Sequence, residues 1–365
     1  MYLSLEKTSP EIGTEEAEQA KRVAEDILDK APYSIFVNNR VFIITKEVLG
    51  NWLLFLPKKH DTSSSSLSIA VDEILVKKYL AEISASVNIE AQNPILDFKD
   101  GVLTIVSAPK TGRVLNIKKG AKKIQEKILN KETKIILSLE EVEPEITEEK
   151  IKELQIETLI GSGTSNFAGS PKNRIHNIKI SASKFNGILI PPGEEFSFNK
   201  TLGEVGPDQG YLPELVIKKN KTVPEYGGGI CQVSTTMFRV AVNSGMEILE
   251  RHPHAYPVKY YSPQGFDATV YLPSPDLRFR NNTSGYILIQ SKIEGNYLTF
   301  EFYGKDDKRK VIVRGPYQYD IKPDGSMKAK LYQEVWQGRK IILQKTFYSS
   351  YRSPKLYPIQ RNPLE

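Results

Sequence analysis

Three consecutive glycines, Gly227, Gly228 and Gly229, stand immediately before a run in which Val233, Met237, Val240 and Ala241 recur at helical spacing. Glycine adopts the positive φ that other residues avoid, and it lets the backbone approach a ligand closely. The chain must therefore turn at the glycines and enter a helix at once, with Cys231 in its first turn. The positive end of the helix dipole there favours a thiolate, the nucleophilic form of cysteine. The glycine run does not read as a phosphate loop, because no Lys-Ser/Thr pair follows it.

Two histidines and an aspartate follow: His252 and His254 in RHPHAYP, then Asp267 in GFDATV. Cysteine peptidases and transglutaminase-like enzymes combine a Cys at a helix N-terminus with a His and a polar residue on later strands. In that reading Cys231 attacks and His252 or His254 is the base. Asp267 orients the imidazole, and Gln232 or backbone N–H groups near the helix start stabilise the oxyanion. On an extended strand both histidines face the same side. The opposing reading is that a lone cysteine is a small buried hydrophobe. A zinc site of Cys231, both histidines and Asp267 lacks any CxxC or HExxH support, and Pro253 restricts it, so no metal and no cofactor are expected. Arg174, His176 and Asn177, in RIHN, open an earlier helix. They either cap it, the simpler reading, or line the same cleft, whose ligand-binding floor would be Gly227–Gly229.

Hydrophobic periodicity divides the rest. Ala17, Ala20, Ala24, Ile27 and Leu28 mark a helix, and Asn38-Asn39 is a tight turn between short apolar strands. A second helix runs to Val87, a second hairpin turns at Asp100-Gly101, and a third helix covers about Ala121–Leu129. The segment 14–143 thus reads as an N-terminal helix–hairpin domain, and the acidic stretch 144–158 as a linker. A central α+β domain follows over 159–304. In it Ile175, Ile178, Ala182 and Phe185 mark one helix, and the post-glycine helix extends to Ile248. Strands are expected at Val258–Tyr261, Ala268–Leu272, Tyr286–Gln290 and Tyr297–Tyr303. A small β-rich tail, 309–365, has its hairpin turn at Gln337-Gly338 and shows no catalytic constellation. The fold class is α+β.

Cys231 is the sole cysteine of the 365 residues, so no intrachain disulfide forms. The net charge of +6 suits adhesion to anionic partners, but no compact Lys/Arg block with interleaved aromatics points to nucleic acid. No apolar stretch is long enough to span a bilayer. The segment MYLSLEKTSPEIGTEE has no basic region followed by an apolar one, so it is not a signal peptide. Either the protein stays inside the cell, or a leader or membrane anchor precedes this numbering.

The succession PPGEEFSFN, LGEVGPDQGY, GGGICQVSTTMFRVAV and ERHPHAYPVKYYSPQGFDATV resembles the VanW family over about 160–304. That family is named for an accessory protein of some vancomycin-resistance clusters. The stretch LPELVIKKNKTVPEY departs from the pattern at Glu214, where a small residue is more usual. The N-terminal helix–hairpin pattern is similar to a peptidoglycan-binding domain that precedes some L,D-transpeptidase catalytic domains. The resemblance implies a cell-envelope protein of Gram-positive type, extracellular, with peptidoglycan or anionic wall polymers as partners and no nucleic acid. It further implies an accessory role in wall biology or the glycopeptide response, and the alternative is a cysteine-dependent peptidoglycan hydrolase or transpeptidase.

Overall fold

The pattern beginning near Ala17 folds as α1 (Thr14–Leu28), followed by the hairpin of β1 (Tyr33–Val37) and β2 (Arg40–Ile44). Asn38 takes φ 49° at its turn, a conformation that asparagine tolerates better than most residues. Next come α2 (Lys46–Trp52), β3 (Leu53–Lys59), β4 (Ser65–Val71) and α3 (Glu73–Val87). Asp72 starts α3, its carboxylate accepting from the N–H groups of Ile74 and Leu75 at 2.8 and 3.1 Å. The computed structural model describes residues 14–59, 65–218 and 221–356. The protein is α+β.

After α3 the chain forms a hairpin, β5 (Ile95–Lys99) and β6 (Val102–Ser107), and then β7 (Gly112–Leu115). It continues through α4 (Ile117–Leu129), β8 (Lys134–Leu137) and β9 (Leu139–Val142). Two compact units result, residues 1–93 with 109–147, and residues 94–108 with 148–365. In the first, the sheet order is β2-β1-β8, with β8 parallel to β1. Its core is built on Ile27, Ile35, Ile44, Leu80, Ile124 and Ile135, all fully buried.

The second unit runs through α5 (Glu148–Ile151), β10 (Thr158–Asn166), α6 (Lys172–Ser183), β11 (Ile188–Ile190), β12 (Glu195–Ser197) and α7 (Phe198–Leu202). It continues with β13 (Pro213–Lys218), β14 (Lys221–Tyr226), α8 (Ile230–Asn243), β15 (Glu247–Glu250) and β16 (Arg278–Arg280). The strands β17 (Ile287–Glu294), β18 (Tyr297–Gly304), β19 (Arg309–Tyr319), β20 (Met327–Gln337) and β21 (Lys340–Tyr351) complete it. Its main sheet has the order β10-β18-β17-β11, and α8 lies across β10 and β18. A Cβ at Gly163 of β10 would stand 2.3 Å from the Val240 backbone nitrogen, so only glycine lets helix and strand meet this closely.

The hairpin β5-β6, read from sequence with the first domain, packs within the second unit. The Phe98 N–H donates to Gln290 Oε1 at 3.0 Å, and the Phe98 and Tyr303 rings lie 4.9 Å apart. The tail strands β19–β21 belong to the second unit as well. Leu331 and Phe347 join its core, and Gln333 Nε2 donates to the Val242 and Met246 carbonyls at 3.0 and 3.2 Å.

Three expectations need correction. The long helix stops at Asn243, where the Gly245 and Met246 N–H groups bond back to the carbonyls of Val242 and Ala241, and Ile248 lies on β15. Val258–Tyr261 is no strand but ends in a 3-10 turn, Lys259–Tyr261. Ala268–Leu272 makes only an isolated bridge, Thr269 to His252. Side chains of α8 take the place of a ladder there: Ser234 and Thr235 hydroxyls donate to the Ala268 carbonyl at 2.7 and 3.2 Å. Arg239 donates to the carbonyls of Thr164, Tyr261, Ser262 and Phe266 at 2.7 to 3.0 Å. The segment 259–268 is thus fixed without regular structure.

Candidate functional site

Gly229 precedes α8 at φ 114° and Gly227 turns at φ 92°, both in the region that only glycine enters freely. A Cβ on Gly228 would meet the Glu214 side chain at 2.7 Å. Asn177 holds this turn from behind, its Nδ2 donating to the Gly228 carbonyl at 3.1 Å. The turn delivers Cys231 into the first turn of α8, half-buried, its Sγ 3.6 Å from the Thr269 hydroxyl and 3.6 Å from the Val270 carbonyl. A cavity of about 690 Å³ opens beside it, lined by Gly227–Gly229, Arg174, His254, Tyr260 and Tyr261 among others.

His254 Nδ1 lies 2.6 Å from Asp267 Oδ2, which also accepts the His254 backbone N–H at 2.9 Å. Tyr261 stacks on the imidazole with ring centroids 4.4 Å apart. Nε2 is buried without a hydrogen bond in this resting geometry, and the imidazole interacts electrostatically with the Cys231 thiol. Burial alone would lower the His254 pKa. The Asp267 hydrogen bond and the Cys231 partner outweigh it and raise the pKa to about 9. Burial likewise pushes the Cys231 thiol up, but its interaction with His254 wins and the net shift is downward. Each group thus favours the charged form of the other, and the two titrate as a pair.

Asp267 is itself held from several sides. Its Oδ1 accepts from Arg251 Nη2 at 3.1 Å and from the Tyr351 hydroxyl. Arg251 also donates to the Asp267 carbonyl at 2.6 Å and to the Ser349 hydroxyl at 3.0 Å. Burial would raise the Asp267 pKa, but the His254 bond, the Arg251 charge and the Tyr351 hydroxyl hold it well below the usual carboxylate range. Tyr351 and Ser349 lie on β21, so the tail supports this carboxylate. Arg251 opens the RHPHAYP stretch, but no local pattern marks Ser349 or Tyr351.

The structure brings Cys231, His254 and Asp267 together, beside Gly227–Gly229 and Arg174. It does not bring His252. That residue is half exposed, its Nε2 3.3 Å from Glu250 Oε1, because the regular strand ends at Glu250 and the alternation that would align both histidines no longer applies. Gln232 is fully buried, its amide donating to the Ser165 hydroxyl at 2.7 Å and accepting from Arg174 at 2.9 Å, so its side chain is not an oxyanion donor. His176 is exposed and bonds the Gly210 carbonyl at 2.9 Å, outside the cavity. The capping reading of Arg174, His176 and Asn177 gives way, because Pro171 precedes the helix and no side chain caps it. Among the described residues, no cluster of three or more His, Cys, Asp or Glu is arranged to hold a metal.

Residues 173–303 match the family model described as "VanW like protein", and residues 14–136 match the one described as "Putative peptidoglycan binding domain". The chain thus carries a VanW-like domain and a peptidoglycan-binding-type domain. It is 36% identical over 163 residues to the protein YoaR of Bacillus subtilis, covering 45% of this chain and 53% of that one. It is 34% identical over 118 residues to the vancomycin B-type resistance protein VanW of Enterococcus faecalis, covering 31% and 42%. The chain spans about half the length of the curated relatives it matches. Among solved structures it is similar to a carbamoyl enzyme formed by Ldtfm with avibactam, at 12% identity and TM-score 0.24, over 35% of this chain and 46% of that chain. An Enterococcus faecium L,D-transpeptidase mutant gives 13% identity and TM-score 0.23, over 34% and 46%. Among the described residues, no helix is long and apolar enough to cross a membrane.

Proposed function

We propose that this is a cell-wall protein whose second unit is a thiol acyltransferase acting on amide bonds of wall peptides, while its first unit holds it to peptidoglycan. One observation carries the catalytic part: Asp267 occupies Nδ1 of His254, which leaves the buried Nε2 side to the cavity-lining Cys231. That arrangement suits a thiolate–imidazolium pair. The Cys231 thiolate attacks the substrate carbonyl carbon, and the oxygen takes the electron pair. The Cys231 N–H in the first turn of α8 is the backbone donor assigned to that oxyanion. The C–N bond then breaks, and His254 gives its proton to the leaving amine, which leaves a thioester on Cys231. Water or a second amine attacks the thioester, His254 takes the proton, and the thiolate is regenerated. Water gives hydrolysis; an amine gives transpeptidation.

The peptidoglycan-binding match at 14–136 supports a wall location and a wall partner. The intact chain is expected to be recovered with purified Gram-positive sacculi at moderate salt. Recovery no better than that of an unrelated protein of equal charge would remove the wall partner, since adhesion from the net charge of +6 alone is screened.

The chemical test is alkylation of Cys231 by iodoacetamide across pH, with intact mass measured after incubation with wall stem peptides. A lowered thiol pKa keeps the thiolate populated at mildly acidic pH, so the rate should exceed that of a free thiol there. His254→Ala should move the profile to higher pH, and His252→Ala should leave it in place. A stem peptide should add its acyl mass to Cys231. Reactivity equal to a free thiol, with no adduct from any stem peptide, would leave the protein a wall-binding module.

A further inference from the structure

Arg174 is 7% exposed and lines the cavity that holds Cys231. Its Nη1 donates to the Ser170 hydroxyl at 2.5 Å and its Nη2 to Gln232 Oε1 at 2.9 Å, both neutral acceptors. The guanidinium lies 4.0 Å from the centroid of the Tyr260 ring, another cavity residue, and Tyr260 is itself fixed by a bond from its hydroxyl to the Gly169 carbonyl at 3.1 Å. Among the described residues, the hydrogen bonds of Arg174 run to these two neutral oxygens. The other buried arginine of the site, Arg251, has the Asp267 carboxylate at 3.1 Å. Arg239 does not line the cavity and donates to four carbonyls.

A buried cation without a counterion is costly, and a guanidinium offers five N–H donors in a plane that matches a carboxylate. Stacking on Tyr260 fixes that plane, so little freedom is lost when an anion binds. Beside it, the thiolate–imidazolium pair and the Arg251–Asp267 pair each balance their own charge. Arg174 therefore adds a fixed positive charge on the wall of the reactive cavity.

We infer that Arg174, stacked on Tyr260, is the carboxylate-recognition group of the Cys231 cavity, and that the acyl donor is a peptide bearing a free carboxylate close to the bond attacked. This rests on the thiol reading for what happens to the donor, but not for whether the donor binds. The carboxylate has two possible sources, the C-terminus of the leaving residue or a side chain of the peptide.

The test uses the full chain with Cys231→Ser, which binds without turnover, and measures calorimetric affinity for a synthetic wall stem tetrapeptide. Three forms are compared: the free acid, the C-terminal amide, and the form with its side-chain carboxylates amidated. The free acid is expected to bind about tenfold or more tightly than whichever amide removes the recognised group, and that amide identifies the source. Arg174→Gln should abolish the preference, and Arg174→Lys should keep part of it. If Arg174→Gln fails to fold, the acid-to-amide comparison on Cys231→Ser decides alone. Equal binding of all three forms would overturn the inference, as would a preference that survives in a folded Arg174→Gln chain. Failure of the thiol reading shows separately, as carboxylate-dependent binding with no adduct on the unaltered protein.

Discussion

Asp267 joins the site's chemistry to its stability. Its carboxylate faces Arg251, with both side chains almost wholly buried, and it also orients His254. Asp267→Asn removes the negative charge and leaves Arg251 buried and unpaired, which should cost about 3–5 kcal/mol in urea unfolding at pH 7. The sign with pH follows from the depressed pKa. The carboxylate's contribution is complete above the unfolded value of about 3.9 and is lost as pH falls through the lower folded value. The unaltered protein and the variant should therefore differ most at neutral pH, and their stabilities should converge only below about pH 4. The same variant should lower the alkylation rate of Cys231 at pH 6, because His254 loses the group that keeps it cationic. The residue types of the candidate site were legible in the sequence: a cysteine after glycines, then histidines, then an aspartate. Which histidine serves was not, since Pro253 and the end of β15 at Glu250 break the alternation that would have aligned both. Nor was Arg251 readable as a partner of the Asp267 side chain, because arginines on a surface and in a core look alike in one sequence.

At the scale of elements, the tail strand β21 reaches the site through Tyr351. Its hydroxyl donates to Asp267 and accepts the Gly265 N–H at 2.7 Å. Tyr351→Phe keeps the ring and removes both bonds, so the unfolding free energy should fall by about 1–3 kcal/mol. If Tyr351 also positions the carboxylate, the pH profile of Cys231 alkylation should move upward as well. A fall in stability with the profile unmoved would make Tyr351 structural only. Helices α1, α3, α4 and α8 were legible because apolar residues repeat along them, as were the hairpins at Asn38-Asn39 and Asp100-Gly101. The segments around Tyr261 and Thr269 were not. Their apolar residues alternate as in a strand, yet their backbone groups bond to Ser234, Thr235 and Arg239 of α8 instead of to a ladder. The contribution of the tail was hidden for a related reason: Tyr351 and Asp267 are 84 positions apart, and no local pattern marks a contact of that range.

At the scale of the whole molecule, the path of the chain matters more than either core. Residues 94–108 belong to the second unit, although the first unit supplies the chain on both sides of them. In that hairpin Leu96 is fully buried and Phe98 nearly so. Periodicity identified the hairpin but not its allegiance, since an apolar face shows only that something covers it. The backbone passes from one unit to the other after Asn93, Ala108 and Thr147. A single cut at the last of these passages would leave the severed N-terminal piece still threaded into its companion. With a protease site inserted between Thr147 and Glu148, the nicked protein is expected to elute as one particle on native gel filtration and to part into two bands only in detergent. Spontaneous separation on dilution would mean that Leu96 and Phe98 are too weak a rivet to hold without the peptide bond. If the rivet holds, proteolysis at Thr147 alone would not release the second unit as a free piece.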